Sequence, residues 1–170
     1  YSSSQGSSFS EILSMLAITP QDIFFSNGTY WNGEIFRSIP PVTINFNSII
    51  KTIWGKSTNN FYMAGAYGNL AQFKDGTWMK LNSGEDVEIH DLYGVTGTDD
   101  KTIIYGAASN KLSTGAKKIF RIYENNQLNY MEWPESLDVT SVWGPSERKL
   151  YAAGSGVHEY NGSWKLISEI

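Results

Sequence analysis

A repeat constrains this chain more than any other feature. Residues 53–65 read Ile-Trp-Gly-Lys-Ser-Thr-Asn-Asn-Phe-Tyr-Met-Ala-Gly, and residues 142–154 read Val-Trp-Gly-Pro-Ser-Glu-Arg-Lys-Leu-Tyr-Ala-Ala-Gly. An apolar residue, Trp, Gly, Ser, Tyr, Ala and Gly fall at the same offsets in both. A third copy starts at Leu92-Tyr93-Gly94 and runs through residues 101–106, with two extra residues in its turn. A fourth, worn copy covers residues 15–27, with Leu16 in the place of Trp54 and Asn27 in the place of Gly65. Asn tolerates a left-handed backbone better than most residues, so this alignment expects a left-handed residue at position 27.

Each copy continues in one style. Gly68 leads to Asp75-Gly76 and Trp78, Gly156 to Asn161-Gly162 and Trp164, and Gly28 to Asn32-Gly33 and Ile35. Asp-Gly and Asn-Gly between alternating apolar residues are strong hairpin signals. Asn125-Asn126 takes that place in the third copy. In the second copy the pattern predicts strands over residues 49–54, 60–66, 69–74 and 77–81. Residues 9–17 come nearest to a helical period, but the repeat alignment reads them as strand. A spacing of 39 residues from Gly55 to Gly94 and 50 from Gly94 to Gly144, filled by four short antiparallel strands, describes a β-propeller blade. The expected fold is therefore all-β, with four blades over residues 10–47, 48–86, 87–136 and 137–170 behind a flexible lead-in of residues 1–9. A single blade cannot bury both its faces, so blades must stack. Two architectures stay open: a small ring closed within the chain, or part of a larger ring completed by a homodimer partner or a longer parent chain.

Composition excludes some functions. The net charge is −4, and Lys117, Lys118 and Arg121 form the densest basic spot, too little for a nucleic-acid backbone. Without cysteine there is no disulfide, thiol nucleophile or thiolate-bound metal. No apolar run approaches the length of a membrane span. The opening Tyr1-Ser-Ser-Ser-Gln-Gly-Ser-Ser, which lacks an initiator Met, reads as a linker in a processed or excised form.

The full pattern is apolar-Trp-Gly, Ser, Tyr-x-Ala-Gly, Gly-x-apolar, then aromatic-x-Asp-Gly-x-Trp. It resembles the blades of bacterial secreted and cell-envelope propellers, and is similar in rhythm to photosystem-assembly-factor-like and BNR (sialidase-like) propellers. The resemblance spans about residues 13–167. It implies an exported bacterial repeat protein, secreted or in the envelope, that binds a protein or a carbohydrate. The sialidase-type Asp-box reads Ser-x-Asp-x-Gly-x-Thr-Trp, whereas residues 73–78 read Phe-Lys-Asp-Gly-Thr-Trp. No catalytic residue carries over.

The residues themselves offer little chemistry. His90 and His158 are the only histidines, too few for a zinc site. Gly154-Ser155-Gly156 lacks the frame of a nucleophile elbow and aligns with a turn. Glu85, Asp86, Glu88, Asp91, Asp99 and Asp100 are carboxylates in links and turns, from which no catalytic pair stands out. The sequons at Asn27 and Asn161 coincide with predicted turns. Trp54 and Trp143 share one repeat position with Tyr93 and Leu16; Trp78 and Trp164 share another with Ile35 and Leu128. Such interchange marks core positions between blades. Trp133 fits no repeat position, so it is the first tryptophan to consider for a ligand, against a role in capping an outer strand. The insertion at residues 109–117 is the most individual loop, and its Ser109, Asn110 and Lys111 are further contact candidates. The reading that follows is a non-catalytic interaction module without cofactor or metal, binding a protein or glycan through one ring face. The alternative is a propeller glycoside hydrolase or lyase with acidic residues in a central channel.

Overall fold

The computed structural model describes residues 11–39, 46, 48–84, 86–110, 117–134 and 136–169. They form an all-β molecule of four four-stranded antiparallel sheets, each a simple meander of consecutive strands. The first sheet holds β1 (Met15–Thr19), β2 (Asp22–Phe25), β3 (Thr29–Trp31) and β4 (Phe36–Ser38). The second holds β5 (Ile50–Ser57), β6 (Asn60–Gly65), β7 (Leu70–Lys74) and β8 (Thr77–Lys80). The third holds β9 (Glu88–Thr96), β10 (Thr102–Ser109), β11 (Lys117–Ile122) and β12 (Leu128–Met131). The fourth holds β13 (Val139–Ser146), β14 (Lys149–Gly154), β15 (Gly156–Tyr160) and β16 (Trp164–Ser168). Each falls within one expected repeat unit. The lead-in of residues 1–9 lies outside the described residues.

Strand alternation gives each sheet two apolar faces, and consecutive sheets bury them against each other. One cluster, with Phe24, Ile53, Phe61 and Met63, joins the first sheet to the second. A second, with Tyr62, Leu70, Leu92 and Phe120, joins the second to the third. A third, with Tyr105, Ile119, Val142 and Leu150, joins the third to the fourth. The first strands lead this packing: β1 meets β5, β5 meets β9 and β9 meets β13. Among the described residues no such cluster lies between the fourth sheet and the first.

Hydrogen bonds step across the same first strands. The amide of Ile53 donates to Ser14 Oγ at 3.3 Å, that of Leu92 to Thr52 Oγ1 at 3.3 Å, and that of Val142 to Asp91 Oδ2 at 3.0 Å. Donors and acceptors occupy one repeat position each, so the repeat encodes the links between sheets as well as the sheets.

The turns differ in detail from the sequence expectation. Asp75 and Gly76 both take positive φ, at 48° and 82°, as a two-residue turn between Lys74 and Thr77 requires. The Asn161-Gly162 hairpin closes from Tyr160 to Trp164 and the Asn32-Gly33 hairpin from Trp31 to Phe36, so both loops are longer. Phe36, rather than Ile35, therefore occupies the register position of Trp78. The expected left-handed residue at Asn27 is corrected as well: the positive φ belongs to Gly28. At the aligned position Gly65 has an extended φ of −177°. Glycine is needed there because a Cβ would lie 2.0 Å from the Ile49 carbonyl oxygen.

Candidate functional site

A groove of about 580 Å³ opens between the outer strands of the third and fourth sheets. Arg121 from β11, Trp133 after β12, Tyr160 from β15 and Trp164 from β16 are among its walls. Register explains the meeting. Arg121 shares a cross-strand row with Tyr105, which faces the fourth sheet. Tyr160 pairs with Trp164 on the face that looks back.

The aromatic rings form a connected set. Trp164 lies edge-on to Trp133 with centroids 5.2 Å apart and tilts against Tyr160 at 5.1 Å. Trp133 in turn meets the His158 ring edge-on at 5.0 Å. Trp133 is buried and its indole N–H donates to the Leu137 carbonyl at 2.9 Å. Its ring is thus held in the wall, while the more accessible Tyr160 and Trp164 offer more ring surface to the groove.

Two donors on these walls have no partner. Arg121 Nε and Trp164 Nε1 are buried without a hydrogen bond. An unpaired buried donor costs about 1–3 kcal/mol, and both atoms lie beneath the groove surface, so a bound acceptor that parts the walls to reach them would be repaid. The Arg121 guanidinium lies 5.3 Å from the Tyr123 ring centre, a stacking contact that holds its direction. The groove therefore suits a ligand with a flat apolar face and acceptor oxygens at its edge.

Two other hollows suit a ligand less well. A larger one, about 680 Å³, lies among the turns that join the strands of the third and fourth sheets. Its polar groups already answer one another: Glu147 accepts from the Thr98 amide, Glu124 from the Thr102 amide, and Asp99 pairs with Lys101 at 2.8 Å. A third, about 140 Å³, lies beside Gln72 and holds space for a few waters.

The remaining sequence candidates fall elsewhere. Ser109 is fully buried at the end of β10, where its hydroxyl and carbonyl lie 3.0 and 3.2 Å from His90 Nε2. Asn110 is half-buried. Lys111 lies outside the described residues, with most of the insertion. Ser109 pairs with Lys117 and Met131 with Ile119, so Ser109 and Trp133 sit toward the same end of the third sheet. Arg121 and Tyr160 were not picked out from the sequence. The only signal for Arg121 was a cation inside an otherwise apolar alternation, at residues 119–122.

Trp143 departs from the expectation of a core position. It is half exposed, and among the described residues no further sheet covers that face. Among the described residues no three His, Cys, Asp or Glu side chains cluster as metal ligands, and no helix is long and apolar enough to cross a membrane. No family model, no curated protein and no solved structure matches the chain.

Proposed function

We propose that the four sheets are blades of a β-propeller, and that the chain is a non-catalytic interaction module of an exported bacterial protein, secreted or held in the envelope, that binds a glycan. Three observations support the blade reading. The sheets are sequential meanders, their first strands pack in chain order, and one hydrogen bond recurs between repeat-equivalent residues at every step. One observation carries the binding reading: Arg121 Nε and Trp164 Nε1 are buried donors without partners on a groove walled by Tyr160, Trp164 and Trp133. A sugar ring supplies both an apolar face for the aromatic rings and acceptor oxygens for the two N–H groups. A carboxylate on that sugar would match the Arg121 charge. Glu132 is the one carboxylate among the groove-lining residues, so the two-acid chemistry of glycoside hydrolysis finds no pair there.

Indole fluorescence tests the proposal, because Trp133 and Trp164 both report on the groove. Titration with an oligogalacturonide should give a saturable change, and its neutral methyl ester a weaker one. Arg121→Ala should weaken binding of the acidic sugar about tenfold or more, the worth of one charge-assisted contact. Trp164→Phe should weaken both sugars. A flat titration, or variants that bind like the parent, would sink the glycan reading and leave a protein ligand.

A further inference from the structure

We infer that the two outer faces of the sheet stack are halves of one interface, and that a second copy of this chain completes it, the fourth sheet of each copy packing on the first sheet of the other. The inference rests on the blade reading and names the partner that reading requires.

The observation is a mismatch at equivalent repeat positions. Ile53, Leu92 and Val142 open the apolar rows that face the preceding sheet, and are 5%, 3% and 2% exposed. Met15 stands in the same place in the first sheet and is 66% exposed. The difference lies in what covers it, since the residue type is apolar in all four. The neighbouring row repeats the point. In the second sheet Phe61, Phe73 and Trp78 share a row and touch one another at 5.0 to 5.6 Å, buried under Phe24 of the first sheet at 4.6 Å. In the first sheet Ile23, Trp31 and Phe36 form that row. Trp31 and Phe36 touch at 5.0 Å, Phe36 also reaches Phe25 at 5.9 Å, and Phe36 is 63% exposed. An aromatic platform of this composition is built to receive a sheet.

The fourth sheet carries the matching half. Its outward row holds Trp143, Tyr151, Glu159 and Lys165, at the positions of Trp54, Tyr62, Gln72 and Met79. In the second sheet this row lies under the third, where Trp54 fills the space over Gly94. In the fourth sheet Trp143 stacks on Tyr151 at 6.0 Å and remains half exposed. Glu159 is already paired with Lys149 at 3.3 Å and with the Tyr151 hydroxyl at 3.2 Å, so it would enter an interface satisfied. Ala17 stands in the first sheet where Gly94 stands in the third. A Cβ on Gly94 would lie 2.2 Å from the Trp54 ring, so Trp143 must lie differently from Trp54 to pack over Ala17. The hydrogen-bond series has matching open ends too. Ser141, whose hydroxyl donates to Asp91 at 2.7 Å and can still accept, occupies the acceptor position of Ser14, Thr52 and Asp91, and the amide of Met15 occupies the donor position of Ile53, Leu92 and Val142. Each chain thus holds both halves, and two copies related by a twofold axis satisfy all four open faces.

Light scattering after size exclusion tests this on the intact chain. The expected mass is twice the 19.0 kDa of one copy. Phe36→Asp and Trp143→Lys alter exposed positions, so both variants should keep the parent's β-sheet circular dichroism. Each alone should raise the dimer dissociation constant about a hundredfold or more, since an unpaired charge must be buried. Mixing the two should restore association, because the mixed pair has one contact in which both faces are native. Loss of the dimer in only one variant would mean that like faces pair, and would overturn the proposal. A monomer with Trp143 fluorescence shifted to the blue would mean that the chain closes on itself, which keeps the blade reading and overturns the second copy. A monomer with water-exposed Trp143 overturns the second copy as well. Oligomers that lengthen with concentration would overturn both the two-copy ring and the blade reading.

Discussion

Asp91 shows how one side chain answers to two sheets. It lies on β9 and accepts from the Val142 amide and, at 2.7 Å, from the Ser141 hydroxyl. Burial raises its carboxyl pKa above the ordinary value, and those bonds only partly oppose the shift. Folding thus disfavours the charged form relative to the unfolded chain. Stability from this group is fully present below the unfolded pKa of about 4 and is lost as pH rises through the higher folded value. Asp91→Asn keeps an acceptor without the charge, so it should raise stability at neutral pH and flatten this part of the pH profile in urea melts. Asp91→Ala leaves the Val142 amide unanswered and should cost about 1–3 kcal/mol. Tyr62 and Tyr105 give the alkaline counterpart. Burial pushes each phenol up from 10.0 to about 12. Their stabilising contribution is whole below pH 10 and lost between about 10 and 12, so cooperative unfolding followed by tyrosinate absorbance should fall in that window.

At the scale of the element, the last hairpin of each sheet was written most clearly. Asp75 and Gly76 supply the two positive φ angles that a two-residue turn needs, and Ala at both positions should cost about 1 kcal/mol or more apiece, read as a lower urea midpoint. Gly106 in the middle of β10 is a different case. A Cβ there would lie 2.1 Å from the Phe120 ring, and that ring is buried between the second and third sheets. Gly106→Ala must displace it and should cost about 1–3 kcal/mol. Neither the length of the Asn161-Gly162 loop nor the shift from Ile35 to Phe36 could be read from dipeptides. Loop length depends on which residues pair across the hairpin, and that is chosen by the faces being buried.

Across the whole molecule, equivalent residues differ in worth according to their neighbours. Ile53→Ala should cost about 2–5 kcal/mol, as core truncations do. Met15→Ala, at the same repeat position, should cost within about 0.5 kcal/mol at dilutions where the chain is monomeric. Thermal melts of the two variants compare them directly. A large loss for Met15→Ala under those conditions would show its face to be covered already. The groove belongs to this scale as well. Arg121 and Trp164 lie 43 positions apart in the chain and meet only because the third and fourth sheets stack.

The sequence alone determined the repeat, the four strands in each unit, the positions of the hairpins and the interchangeable apolar rows. These are local properties: a period-two alternation, a turn dipeptide and a glycine are legible wherever they occur. Tertiary structure decided which rows are covered. Trp54 and Trp143 are the same letter at the same repeat position, yet among the described residues a sheet covers the first and leaves the second half exposed. It also decided that Trp133 is buried in the wall of the groove, that Ser109 is buried, and that Arg121 and Trp164 are left with unanswered donors. Burial and hydrogen-bond satisfaction depend on what lies across an interface, and a one-dimensional pattern does not carry that information.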